Sequence, residues 1–334
     1  EPVSMQNFLK HGNTFRPGAM RLDKTHQLVF YGNADAETHT HHDAFWKDGS
    51  IRIGGREYLG MAISACFQKG TMTCLDCHSM HNYNGPSDQI TLQASTNTSC
   101  LHCHEEIGKS LREHTHHAEN SEGSRCYNCH MPHTSFALMG AIRSHRVDSP
   151  SVANEVQSGR PNACNLCHLD KTLEWTSRKM ASWYGHEPVE LEKDQADVAA
   201  SVRWILGGDA VQRAIGSWHM GWQPAIDASG ENWQLPLLNL IRTDDYSVNR
   251  FVSQKAMKSH SLYLPLSGDE SYDFIDELEP RQQVQDKFLK RWLDSPSLPA
   301  IPEAVLLQPD GALETEAIDQ LIKGRDRRSI MVAE

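Results

Sequence analysis

Cys126-Tyr127-Asn128-Cys129-His130 sets two thiols three residues apart and follows them at once with an imidazole. The same C-x-x-C-H spacing recurs at Cys74-Leu75-Asp76-Cys77-His78, Cys100-Leu101-His102-Cys103-His104 and Cys164-Asn165-Leu166-Cys167-His168, so eight of the nine cysteines belong to one pattern. Two thiols at this spacing can form thioethers to the two vinyl groups of one porphyrin, and the histidine after them reaches the iron from the proximal side. Zinc also accepts paired cysteines with histidines, but it does not require a histidine directly after every second cysteine. Haem is therefore preferred over zinc, iron–sulfur and disulfide readings. The expected cofactors are four haem c groups tethered at Cys74, Cys77, Cys100, Cys103, Cys126, Cys129, Cys164 and Cys167, with His78, His104, His130 and His168 as proximal axial ligands.

Successive motifs start 26, 26 and 38 residues apart, which crowds four large flat apolar groups onto a short length of chain. Only 39% of the 334 residues are apolar, a thin supply for a core of this size, and the porphyrins themselves are expected to fill much of the first half. Between the motifs, Asn82, Asn84, Gly85, Pro86 and Ser87, then Asn120, Ser121, Gly123 and Ser124, read as turns and loops.

Four proximal ligands out of 19 histidines leave 15, while four irons need at most four more. The tetrapeptide His-Thr-His-His occurs twice, at 39–42 and at 114–117. Adjacent histidines point in different directions, so one can ligate while its neighbour orients it or contacts a propionate. His42 and His117 are the preferred distal ligands, with His41 and His116 as alternates. His81, too close to His78 to reach the far face of the same haem, is expected to serve an adjacent one, and His145 is the fourth candidate. His133, His114, His26 and His11 stand in reserve. Met80 and Met131 would raise a haem's potential, and the histidine surplus favours low-potential bis-histidine ligation instead. The ninth cysteine, Cys66, sits among small and apolar neighbours and is expected to be a buried inert thiol, with an intermolecular disulfide or a haem contact as the other options.

The net charge of −11 and pI near 5.9 argue against a nucleic-acid or anionic-membrane binder. No apolar run approaches the length of a transmembrane helix, and Glu1 to Gln6 show neither a basic start nor an apolar run, as expected of a mature chain or a fragment. After Pro188 the character changes. Val198, Val202, Ile205 and Leu206 predict a helix stopped by Gly207-Gly208; Trp233 to Arg242 predicts a second; after the Asp244-Asp245-Tyr246-Ser247 turn, Val248, Phe251, Val252 and Ala256 predict a third. Two such helices joined by an Asp-rich turn form a HEAT-like unit, and 209–222 with its neighbour offers another. Further helices are expected near Pro280 to Leu293 and around Ile318 to Ile322, separated by a stiff Pro-rich linker at 295–302. Trp204, Trp218, Trp222 and Trp233 are expected in the core of this half, which contains no recognisable nucleophile, phosphate loop or paired-carboxylate motif.

The fold class is thus mainly α with much irregular structure: a tetrahaem cytochrome c domain over 1–188, a HEAT-like helical domain over 189–294, and a linker and tail over 295–334. The run from Cys126 to His133, the stretch from Arg160 to Lys171 and the helical part with Arg242-Thr243-Asp244-Asp245-Tyr246 resemble secreted multihaem c-type cytochromes with C-terminal HEAT or tetratricopeptide-like repeats. More remotely the chain is similar to the cytochrome c nitrite reductase, hydroxylamine oxidoreductase and cytochrome c554 group, where C-x-x-C-H-M-P recurs. The remoter resemblance implies haem roles for Cys126, Cys129, His130 and His117. The chain lacks the C-x-x-C-K of nitrite reductases and has fewer motifs than the enzymes of that group. Electron transfer by a periplasmic or extracellular prokaryotic protein is therefore the expected function, with redox proteins or further copies of the chain, even a filament, as partners. An oxidoreductase with one open haem acting on a small nitrogen compound or peroxide is the alternative, and a docking role for the helical half is compatible with either.

Overall fold

A computed structural model describes residues 9–12, 42–54, 56–79, 81, 89–269, 271–328 and 330. His26, His39, His41 and Met80 lie outside the described residues, as does the side chain of His42.

The first half is built from short pieces. Helices α1 (Glu57–Ala62), α2 (Ala65–Gln68), α3 (Thr98–Leu101), α4 (Glu105–Lys109), α5 (Leu111–Thr115) and α6 (Cys126–His130) span one or two turns each. Helices this short are unstable alone, because nucleation is unfavourable and few hydrogen bonds follow it. A single hairpin, β1 (His133–Phe136) with β2 (Gly140–Arg143), pairs His133 with Arg143 and Phe136 with Gly140. Among the described residues from 65 to 123, none is buried. Side chains of the described residues thus make no core in this stretch.

From Val152 onward the chain is helical. Helix α7 (Val152–Ser158) starts where the Ser151 hydroxyl accepts from the Asn154 amide and stops at Gly159, whose φ of 77° suits a left-handed cap. Next come α8 (Leu173–Tyr184), α9 (Lys193–Asp197), α10 (Ala200–Gly207), α11 (Ala210–Met220), α12 (Gln223–Ser229), α13 (Gln234–Leu240), α14 (Ser247–Met257), α15 (Tyr263–Ser267), α16 (Leu278–Leu293) and α17 (Thr315–Lys323). The pair α10 and α11 and the pair α13 and α14 pack internally, and α11 packs on α14. Val202, Ile205, Leu206, Trp233, Leu235, Leu238 and Trp292 are completely or almost completely buried in the main core. No described helix is long and apolar enough to cross a membrane.

Two details differ from the periodicity reading. Val198 stays extended before α10, because the Ala199 amide donates to the Ala304 carbonyl at 2.8 Å and holds this stretch against the C-terminal segment. The stretch expected to be linker and tail also returns to the core. Val305, Leu306, Leu307 and Ile318 are buried with Trp233 and Trp292, and the Trp292 indole donates to the Gly311 carbonyl at 2.8 Å. A smaller cluster joins Val152, Leu166 and Leu173 to Ala200, Trp204 and Ile215, so packing is continuous across 188/189.

Candidate haem sites

Each C-x-x-C-H motif occupies one helical turn. The His78, His104 and His168 amides donate to the carbonyls of Cys74, Cys100 and Cys164 at 2.8, 3.1 and 2.8 Å, and Cys126–His130 is itself helix α6. Residues i, i+3 and i+4 share a helical face, so both sulfurs and the imidazole of each motif converge on one side. Consecutive motifs are neighbours. The Ser99 hydroxyl donates to the Asp76 carbonyl at 3.0 Å. Asn97 donates to the Ser124 carbonyl at 2.7 Å and accepts from the Cys126 amide at 3.0 Å.

Three motif histidines face a second histidine. The ring centres of His78 and His145 are 6.2 Å apart with planes 14° from parallel, those of His130 and His114 6.1 Å and 13°, and those of His168 and His117 5.9 Å and 24°. With metal–imidazole bonds of about 2.0 Å and roughly 1.1 Å from nitrogen to ring centre, imidazoles on opposite sides of one iron stand about 6.2 Å apart. The residues fit the group their motifs imply. By contrast, His116 lies on the Trp183 ring at 4.2 Å and 14°, an ordinary face-to-face contact.

Hydrogen bonds fix the tautomers. Nδ1 of His145, His130 and His117 lies 3.1, 3.0 and 2.6 Å from the carbonyls of Arg143, Asp148 and Thr115. A carbonyl only accepts, so each Nδ1 carries the donated proton and Nε2 keeps its lone pair for a metal. Burial holds His145, His114 and His168 below the ordinary histidine range, which favours the neutral ligating form.

The turn at 114–117 brings its two ends to different motifs. His116 adopts a left-handed conformation with φ of 57°, which reverses the chain so that His114 faces His130 and His117 faces His168. Gly123 lies directly against the His117 ring, where a Cβ would come within 2.9 Å of Nε2. His145 comes up to α1 because Gly60 has no side chain: a Cβ there would lie 2.9 Å from the Arg146 amide nitrogen. The Ser64 hydroxyl donates to the His145 carbonyl at 3.3 Å and accepts from the Val147 amide at 2.9 Å. His114, a reserve in the sequence, is thus brought to a motif histidine. Its three-residue separation from His117 across a turn is the sequence signal for one turn reaching two motif histidines. Neither His81 nor His104, both exposed, has such a ring pairing among the described residues, and Cys66 is half-buried in α2.

A model of the family described as cytochrome c7 and related cytochrome c matches residues 86–169, which contain three of the four motifs and the 114–117 turn. Over that segment the match supports a multihaem c-type cytochrome. No curated protein and no solved structure matches it. The charges around the third and fourth motifs fall into two sets. Arg146 and Arg160 are each paired with both Asp48 and Asp148, at 3.5, 3.3, 3.0 and 2.9 Å, and the Asp148 carbonyl is the one that accepts from His130. Burial pushes the Asp48 carboxyl up, but the Arg160 charge and hydrogen bonds from Ser50 and Asn154 outweigh it and hold the group below its usual range. On the other side of the motifs, His133 touches Trp218, Trp222 and His219 at 4.6, 5.0 and 5.5 Å. Burial drives His133 down to about 2 and His219 to about 3, so both are neutral. Burial also lowers Arg143 to about 10, which leaves it cationic at neutral pH.

Proposed function

We propose that this cytochrome carries four covalently bound haems in a consecutive series and passes single electrons along them between redox partners outside the cytoplasm. The observation that carries the reading is the threefold facing of a motif histidine by a second imidazole at 5.9–6.2 Å. The cysteine pairs would tether each haem, and His78 with His145, His130 with His114, and His168 with His117 would close the axial positions of three irons. Bound haem supplies a one-electron Fe(III)/Fe(II) couple whose potential the protein tunes. The chain's own part is to hold the imidazoles in their Nδ1-protonated tautomers and to keep successive motifs adjacent through Asn97, Ser99 and the 114–117 turn. For the His104 iron the sequence offers His42 or His41. The helical half reads as a HEAT-like scaffold, supported by the packed pairs α10 with α11 and α13 with α14. Covalent attachment of haem outside the cytoplasm points to a periplasmic or extracellular site of action.

A pyridine haemochrome assay with an intact mass is expected to give four haems per chain, and low-temperature electron paramagnetic resonance to give low-spin signals from at least three. A chain matured in a host with the haem-attachment machinery that carries no covalent haem would end the proposal. The alternative oxidoreductase reading has one observation in its favour, the exposure of His104. Carbon monoxide added to the reduced protein discriminates: binding at one haem favours an open site there, and no spectral change favours electron transfer alone.

A further inference from the structure

We infer that Arg143 raises the reduction potentials of the haems at Cys126–His130 and Cys164–His168 above those of the other two, making the end beside the helices the electron-accepting end of the series. This rests on the four-haem reading above. Arg143 closes strand β2, and its guanidinium is pinned to the third motif. Nη1 donates to the Tyr127 and Met131 carbonyls at 3.2 and 3.4 Å, and Nη2 donates to Asn128 Oδ1 at 2.5 Å. The group lies 4.7 Å from the Tyr127 ring centre and 5.7 Å from that of Trp222. Two residues beyond Trp222, the Pro224 carbonyl is 3.6 Å from Cys167 Sγ in the fourth motif. The cation therefore sits between the third and fourth attachment sites, in electrostatic reach of Cys129 and Cys167.

What separates Arg143 from its neighbours is the lack of a counter-ion. Arg146 and Arg160 are neutralised by Asp48 and Asp148. Among the described residues, the one carboxylate in reach of Arg143 is Glu122, which is half exposed and 3.7 Å from Arg125. Reduction adds one electron to a haem and needs no proton here. A fixed cation in a partly desolvated position stabilises that added charge far more than it would in water, and the benefit falls with distance from the guanidinium, which faces the third and fourth motifs while only the Arg143 backbone carbonyl meets His145.

The test is a spectroelectrochemical titration of the fully haem-loaded protein, with haem content measured on every sample. In Arg143→Gln, which keeps donors near the same carbonyls but removes the charge, the two highest of the four potentials are expected to fall. The expected size is about tenfold in the reduction equilibrium, or ~59 mV for one electron. Arg143→Lys keeps the charge and should stay within about threefold of wild type, about half that shift. Glu122→Gln, an exposed change, removes the opposing charge and should move the same two potentials upward. Potentials unmoved in Arg143→Gln, a uniform fall of all four, or a fall confined to the two lowest would overturn the inference. If Arg143→Gln loads haem poorly, Glu122→Gln decides: no upward movement overturns it. A wild-type protein without haem would sink the function reading instead, before any potential is measured.

Discussion

Gly123 stands where any side chain would strike the His117 ring, with a Cβ 2.9 Å from Nε2 and closer still to ring carbons. Gly123→Ala is expected to push His117 away from His168, giving a new high-spin haem and carbon monoxide binding in the reduced protein, with a loss of about 1–3 kcal/mol in stability. Gly140→Ala, where no atom lies within 4 Å of the added carbon, is the control and should change neither reading. His219 gives a second residue-level expectation. It is 1% exposed, donates Nδ1–H to the Ile215 carbonyl at 2.9 Å, and is held near 3, well below the ordinary histidine value. Below an unfolded value of about 6.5 the unfolded chain binds the proton that the native state refuses, so stability falls as pH drops from there toward 3. The slope from this group approaches about 1.4 kcal/mol per pH unit. Urea midpoints at pH 7 and pH 5 should show a smaller acid loss in His219→Gln than in wild type.

Helix α8 shows how one element reaches two of the candidate haem sites. Trp175, Lys179 and Trp183 recur every fourth residue on one face, with Trp175 5.1 Å from the His168 ring and Trp183 under His116. Lys179 Nζ lies 5.9 and 5.3 Å from the two indole rings, and the Tyr184 hydroxyl donates to the His114 carbonyl at 2.7 Å. The helix therefore braces the 114–117 turn from one side while the Thr115 and Ser124 hydroxyls hold it from the other at 2.9 Å. Trp183→Leu should broaden or split the low-spin resonance signals of the haems proposed at His114 and His117, and Trp183→Phe should restore much of the wild-type spectrum. Identical spectra in Trp183→Leu and wild type would show that the turn holds without the brace. Periodicity foretold α10, α13, α14 and α16 because each buries a stripe that only a helix can align. It could not foretell that Val198 and Ala199 leave the helix for a contact with Ala304, more than one hundred residues away.

Across the whole molecule, the separate parts are tied by buried charge as well as by apolar packing. The Asp244 side chain, fully buried, accepts from Arg213 of α11 at 2.9 Å and from Arg325 beyond α17 at 2.8 Å, while its second oxygen accepts from the Tyr246 amide at 2.9 Å. Removing the carboxylate strands two guanidinium groups, so Asp244→Asn should cost about 3–5 kcal/mol, read as a lower urea midpoint of the helical half. The haem count per chain should not change, because no motif residue touches this network. A midpoint within 1 kcal/mol of wild type would show that neighbouring carbonyls satisfy the arginines unaided.

The shape of each motif was written in the sequence because it is local: C-x-x-C-H closes within one helical turn whatever the rest of the chain does. The turn at 120–124 and the main helices were legible for the same reason, as spacing and composition act over a few residues, while Asn82, Asn84, Gly85, Pro86 and Ser87 lie outside the described residues. Which imidazole faces which motif was decided only in three dimensions. His145 meets His78 from 67 residues away, through the close approach at Gly60, and His114 and His117 diverge because His116 turns the backbone left-handed. The segment after Pro302 likewise looked like a tail, and joined the core because Val305, Leu307 and Ile318 found an apolar surface against Trp233 and Trp292 that no local pattern encodes.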